Sequence, residues 1–311
     1  TGIGLTLLPV HYQYGGCDKR PLGPGQIRFG NDPDQFTKLY EESVRAIKNL
    51  PADTVMGVAP HSLRAVGRED LLATSLLSKD GPIHMHLAEQ LAEVDEVRES
   101  WGKRPTEWLL ENADVNANWC LIHCTQMEEH ETLELAKTGA VAGLCPITES
   151  SLGDGIFDGV RYLNAGGVIG VGSDSNIRIS LSEELRTLEY SQRLRDNSRA
   201  ALATEQKSTA RRIYDAAAKG GAQAAGRDAG RIEVGALADL MALDGSAVDL
   251  IGRTGDTILD TYIFAGDDRM VRDVWSAGRH VVTEGRHSAH DNPSMTRFCA
   301  AFIRVFGNPA T

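Results

Sequence analysis

The feature that most limits what this chain can fold into is an alternation of short apolar segments with longer amphipathic ones. The first kind has strand length and the second repeats with the helical period, a rhythm that marks parallel strands joined by crossover helices. Strands are expected at Gly2 to Val10, Thr54 to Ala59, Pro82 to Leu87, Trp119 to Cys124, Ala140 to Cys145 and Val168 to Gly172. Between them, helices are expected at Asp34 to Leu50, Arg68 to Ser78, Leu91 to Asn112, Met127 to Thr138 and Ser182 to Arg195.

Units of this kind build either an open doubly wound sheet or a closed barrel. No Gly-x-Gly-x-x-Gly follows the first strand, which argues against a dinucleotide-binding sheet. Residues able to do chemistry instead follow several strands, as they do on the carboxyl-end loops of a barrel. The expected fold class is therefore α/β, a (β/α)8 TIM-type barrel over residues 1–226. Eight strands close such a barrel and six are readable, so the first two are expected to lie ahead of the segment that opens at Gly2. Past Gly226 the texture changes to shorter β-like pieces at Arg231 to Val234, Asp239 to Leu243, Thr257 to Phe264, Val271 to Ser276 and His280 to Glu284. These predict part of a small β domain over 227–290, followed by a tail over 291–311 with a helix from Pro293 to Val305.

Composition removes several functions. The 311 residues carry a formal net charge of -11, which repels a phosphate backbone, and no basic stripe interleaved with aromatics offsets it, so no nucleic-acid partner is expected. No apolar run approaches the roughly 20 residues that span a bilayer. The opening TGIGLTLLPV lacks the basic region and cleavage site of a secretion signal, and a cytoplasmic location is expected. Cys17, Cys120, Cys124, Cys145 and Cys299 are odd in number and lack paired spacing, so they read as reduced thiols. Cys120 and Cys124 flank His123, which raises a metal role, yet small buried thiols are common in strands and core packing is the favoured reading.

The sharpest local signal is His84-Met85-His86-Leu87-Ala88-Glu89. On a strand, residues two apart share a face, so His84 and His86 point the same way and Glu89 falls just past the strand end. That placement suits a metal ligand with an acid/base group beside it; the plainer alternative is a buried histidine and a helix-starting glutamate. His123 closes the strand WCLIH, where a lone histidine is more often structural. Asp174 follows VIGVG, where a carboxylate could bind a cation or simply cap a turn. Jointly, His86, His123 and Asp174 all end strands of one expected barrel, so their side chains converge on one rim. Imidazole and carboxylate ligands with an open position are the chemistry of catalytic zinc, which lowers the pKa of water to about 7.

The run HxHxAE at His84 to Glu89, the histidine of LIHC, the segment CPITESSLGDG from Cys145 to Gly155 and GVGSDSN from Gly170 to Asn176 resemble the fifth to eighth barrel strands of amidohydrolase deaminases. Gly230 to Leu240 is similar to that superfamily's return into its composite β domain. Within the superfamily, GIGLTLLPVHY, the phrase APHSLRAV from Ala59 to Val66 and TESSLGDGIF resemble the formiminoglutamate deiminase family. The resemblance implies His86 and Asp174 as ligands of one zinc per chain, with another divalent ion such as Fe2+ as the alternative. It implies Glu89 as the proton shuttle and His123 facing the reacting centre, with Asp174 also among the catalytic groups. It further implies that His61 and Arg64 contact the glutamyl part of a small anionic amidine. An arginine suits that task because its planar fork pairs bidentately with a carboxylate.

In the family only the second histidine of the HxH run at this strand binds metal, which leaves His84 a supporting role. A separate His-x-His on the family's first strand supplies two more ligands, and the only HxH in these residues is His84-Met85-His86. The family also implies a homodimer. Two other readings stay open: a deaminase of a purine, pyrimidine or triazine ring, and a catalytically silent fragment or binding protein without the first-strand ligands.

Overall fold

The computed structural model describes residues 2–175, 178–290 and 292–307. Asn176 of the expected motif, Asp291 and the tail beyond Gly307 lie outside the described residues. The parallel strands are β1 (Thr6–Leu7), β2 (Val10–His11), β3 (Val55–Met56), β4 (Ala59–Pro60), β5 (Ile83–Leu87), β6 (Trp119–His123), β7 (Val141–Leu144) and β8 (Val168–Val171). A second set, β9 (Leu240–Leu243), β10 (Val271–Ser276), β11 (Arg279–Thr283) and β12 (Arg286–His287), forms an antiparallel sheet in the order β12-β11-β10-β9.

The first expected strand is interrupted. Proline has no N–H to give to a ladder, and Pro9 separates β1 from β2. Its neighbour breaks at Gly57, where an added Cβ would sit 2.2 Å from the Pro82 carbonyl oxygen, so only glycine admits so close an approach. β1 pairs with β3 and β2 with β4, all parallel. Bridges at Val58–Ile83 and Ser62–His86 carry the pairing on to β5, and β5-β6-β7-β8 run side by side in chain order. The six expected strand positions therefore form one run of parallel neighbours.

The helices are α1 (Pro33–Ala46), α2 (Arg68–Leu77), α3 (Leu91–Trp101), α4 (Pro105–Asn112), α5 (Glu129–Lys137), α6 (Pro146–Leu152), α7 (Gly159–Asn164), α8 (Leu181–Asp196), α9 (Thr209–Ala224), α10 (Asp256–Phe264) and α11 (Asn292–Phe306). Where one helix was expected from Leu91 to Asn112, there are two. Gly102 ends α3 in the left-handed region at φ 81°, and Pro105 opens α4 at its first position. α9 has no counterpart among the sequence expectations, and it packs tightly on the barrel: a Cβ on Gly220 would lie 1.9 Å from the Ile169 carbonyl oxygen.

Two β-like expectations fail. Thr257 to Phe264 is the helix α10, whose Thr261, Tyr262 and Ile263 are buried; β-branched propensity yields there to burial of a helical face. Arg231 to Val234 forms no strand, and Ile232 and Val234 stand fully out in solvent.

The core lies between strands and helices, with Met85, Leu87, Leu121, Ala142 and Ile169 packed in one cluster with Val94, Val97, Leu109, Leu135, Leu185 and Ile213. A partly buried ionic knot joins this body to the antiparallel sheet. Asp53, just ahead of β3, accepts two hydrogen bonds of 2.8 Å from the Arg279 guanidinium of β11 and one of 3.1 Å from Arg227. Arg227 also pairs with Asp239, ahead of β9. The Arg279 hydrogen bonds, followed by that from Arg227, hold the Asp53 carboxyl well below the usual carboxylate range. All five cysteines are free, and Cys120, Cys124 and Cys145 are buried, as core packing requires. Among the described residues, no helix is long and apolar enough to cross a membrane.

Candidate active site

Strand alternation sets the first two histidines. Ile83, Met85 and Leu87 of β5 are buried against the helices, so His84 and His86 share the opposite face. His84 Nε2 donates to the Ala224 carbonyl at 2.7 Å, which ties β5 to the end of α9 and gives this residue an anchoring task. The backbone N–H of His86 donates to the His61 carbonyl oxygen at 3.0 Å, and its ring Nδ1 donates to the same oxygen at 2.9 Å. One carbonyl thus fixes both the strand register and the imidazole tautomer. The Nε2 lone pair of His86 remains available to a ligand-accepting centre.

By register, His123 pairs with Leu87. Strict alternation would send its side chain into the helix layer with Leu87. Instead its ring centroid lies 5.7 Å from that of His86. The backbone explains this, because His123 and Cys124 have φ of 71° and 53° and break the extended geometry at the strand end. Ala88 after β5 (φ 49°) and Asp174 after β8 (φ 45°) do the same. Left-handed backbone costs a non-glycine residue about 1–2 kcal/mol. Its concentration at three strand ends that carry candidate groups is strain held by a preorganised site.

The expected groups meet at this rim. Glu89 Oε1 lies 3.6 Å from His123 Nε2, and Glu89 Oε2 lies 3.9 Å from an Arg64 Nη2. The Glu89 backbone N–H donates to Glu93 Oε2 at 2.8 Å, which fixes the chain where the carboxylate leaves it. His61 packs its ring 4.6 Å from that of His86, and Tyr12 meets His61 edge-on at 4.3 Å. Burial, then the nearby His86 and Arg64, lowers the His61 pKa to about 3, so it is a neutral imidazole at pH 7. Arg64 follows β4 and buries its Nε without a hydrogen-bond partner. A cleft of about 580 Å³, lined in part by Cys17, Arg64, Gly67 and Trp101, opens on the Arg64 side of the rim. Asp174 is exposed, and its charge reaches His123.

His123 is 1% exposed, and burial by itself would lower its pKa. The hydrogen bond with Glu149 and the charges of Glu89, Glu149 and Asp174 outweigh burial and raise it. Glu149 lies on α6, with Oε1 3.3 Å from His123 Nδ1 and 2.8 Å from the Cys145 backbone nitrogen. Its own carboxyl is pushed up by burial. The segment CPITESSLGDG contains Glu149 but assigns it no task; the available signal is a carboxylate five residues past the end of β7. Glu93, equally buried beneath Glu89, had no sequence signal beyond a place in a helix.

A divalent cation fits the donor chemistry of His86 and Asp174, one oriented imidazole and one carboxylate. Among the described residues, no group of three or more His, Cys, Asp or Glu side chains is arranged to hold a metal ion. Catalytic zinc takes three protein ligands and an open position, so the described residues offer a partial set.

The amidohydrolase family model matches residues 21–281. The chain belongs to the amidohydrolase family. Over 308 residues this amidohydrolase is 44% identical to the formimidoylglutamate deiminase of Pseudomonas aeruginosa, covering 98% of this chain and 66% of that protein. It thus spans just under two thirds of the length of that curated relative. An amidohydrolase of Brucella melitensis superposes with a TM-score of 0.92 at 44% identity, over 98% of this chain and 67% of that one. An adenosine deaminase of Xanthomonas campestris with bound zinc has the same fold, with a TM-score of 0.80 at 24% identity over 97% of this chain and 65% of that one.

Proposed function

We propose that the full protein hydrolyses N-formimino-L-glutamate to N-formyl-L-glutamate and ammonia, a step of histidine degradation. The observation that carries this reading is Arg64. Its guanidinium lies 3.9 Å from Glu89, on the rim that also presents His61, His86 and His123. A substrate amidine at the Glu89–His123 pair would leave its carboxylate within reach of a bidentate cation. The 44% identity to a formimidoylglutamate deiminase supports the same substrate.

His86 and Asp174 would hold a zinc ion, with Fe2+ as the alternative. Such an ion lowers the pKa of water to about 7 and polarises the group under attack. Glu89 takes the proton from the attacking water at one carboxylate oxygen and hands it to the departing nitrogen. His123 Nε2, 3.6 Å from that carboxylate, stabilises charge developing at the reacting carbon. Asp174 is a second carboxylate at the rim and shares the acid/base work. Neutral His61 and cationic Arg64 orient the glutamyl end. The balance is one water consumed and one ammonia released, with a C=N bond replaced by C=O.

The test is ammonia release by the zinc-loaded full-length protein from formiminoglutamate, guanine and adenosine derivatives. Turnover of formiminoglutamate alone is expected. Release from a ring substrate, with none from formiminoglutamate, would replace this reading with a ring deaminase.

A further inference from the structure

We propose that Glu149 is a positioning residue that acts through His123, accepting from its Nδ1–H and so keeping Nε2 turned toward Glu89 and the reacting centre. The inference rests on the deiminase reading only for the name of the reaction.

Three observations carry it. First, Glu149 is 4% exposed, and an ionisable group that deep is costly unless something fixes and uses it. Second, one oxygen does two jobs. Oε1 lies 2.8 Å from the Cys145 N–H and 3.3 Å from His123 Nδ1, so the backbone at the end of β7 holds the carboxylate where the imidazole needs its partner. Third, the opposite ring nitrogen, Nε2, faces Glu89 at 3.6 Å. With Nδ1 committed as a donor to Glu149, Nε2 is the ring nitrogen left on the side of the chemistry.

Holding that ring needs more than packing. His123 sits at φ 71°, off the strand's alternation, so backbone direction alone does not return its ring to one orientation. Glu149 opens no contact with the reacting atoms; its effect passes through the imidazole, as outer partners of functional histidines do. The alternative is that Glu149 merely satisfies the Cys145 N–H, and in that case His123 would not register its loss.

Two variants separate these cases. In Glu149→Gln the Cys145 N–H requires the amide to present its oxygen, so that oxygen still accepts from Nδ1. Glu149→Ala removes the acceptor. In the full-length zinc-loaded protein labelled with 15N-histidine, the His123 signals are assigned by their loss in His123→Asn. With His123 in its neutral form, the parent protein and Glu149→Gln are expected to show protonated Nδ1 and unprotonated Nε2. Glu149→Ala is expected to move toward Nε2–H. Outer partners of this kind contribute roughly 10–100-fold, so kcat for formiminoglutamate should fall by about that factor in Glu149→Ala. KM and zinc content should stay within about twofold, and Glu149→Gln should recover most of the loss.

An Nε2–H tautomer in the parent protein overturns the proposal, and that measurement stands even if Glu149→Ala does not fold. So does an unchanged tautomer or unchanged kcat in folded Glu149→Ala. If the tautomer shifts as expected while no form turns over formiminoglutamate, the substrate reading falls and the positioning of His123 remains.

Discussion

The ring Nδ1 of His86 donates to the backbone carbonyl of His61 at 2.9 Å, across the bridge that joins the β4 end to β5. A residue proposed to orient substrate and a residue proposed to hold metal are therefore linked through one oxygen, and a shift of the His61 backbone would turn the His86 ring.

That linkage predicts how metal is lost. His86→Ala and Asp174→Asn in the full-length protein are expected to reduce bound zinc to less than one-tenth, because each removes a ligand rather than its partner, whose loss costs about 10–100-fold. His61→Ala keeps the carbonyl and should retain most of the zinc. Elemental analysis after gel filtration checks all three, and full zinc in His86→Ala or Asp174→Asn would remove that residue from the ligand set.

Glu89→Gln should keep the metal and lose turnover. The amide fills the same space between His123 and Arg64 but carries no proton, and general acid/base groups contribute about 10²–10⁴-fold. Steady-state kcat with parallel zinc analysis is the measurement. Activity within about tenfold of the parent would assign the proton transfer to another group, with Asp174 the next candidate.

Much of this site was legible because its signals are local. β5, β6, β7 and β8 fall within one residue of their expected ends, and the histidines and aspartate at those ends follow directly. Two things were not legible. The turning of His123 toward His86 depends on a positive φ that no residue type at 123 announces, and Glu149 reaches His123 across 26 residues of sequence. The misread helix α10 fails for the same reason. Its Thr, Ile and Tyr residues favour strands in isolation, and only packing against α8 and α9 decides for a helix.

Acid stability should depend on Asp53. Its carboxyl titrates below the usual range because Arg279, then Arg227, hydrogen-bond the charged form. A carboxyl depressed in the folded state contributes stability above the unfolded value, about 3.9, and loses it as pH falls through the lower folded value. Asp53→Asn should therefore lower Tm at pH 7, by roughly 5 °C on the usual scaling for a protein of this size. The gap from the parent should begin to narrow below about pH 4, where the unfolded chain takes up a proton that the folded carboxylate still refuses. Thermal unfolding at pH 7, 5 and 3 checks this, and a pH-independent gap would show that Asp53 acts by shape rather than charge.

Arg64 is the residue proposed to set substrate choice, and its position allows two effects to be separated. It can clamp a substrate carboxylate through two parallel hydrogen bonds, a geometry that an ammonium does not reproduce. It also stands 3.9 Å from Glu89, so its charge acts on the proposed proton shuttle as well. Arg64→Met is expected to lower kcat/KM for formiminoglutamate at least ~100-fold, roughly 2.7 kcal/mol of transition-state binding, with zinc content unchanged. If the clamp carries this loss, a formamidine without carboxylates should respond to the same substitution by less than about threefold, since it has nothing for Arg64 to hold. If the effect passes through Glu89, both substrates should slow by the same factor and the pH profile should move with them. Near-parent kcat/KM for formiminoglutamate would remove the geometric support for an anionic substrate and make a ring deaminase the better reading.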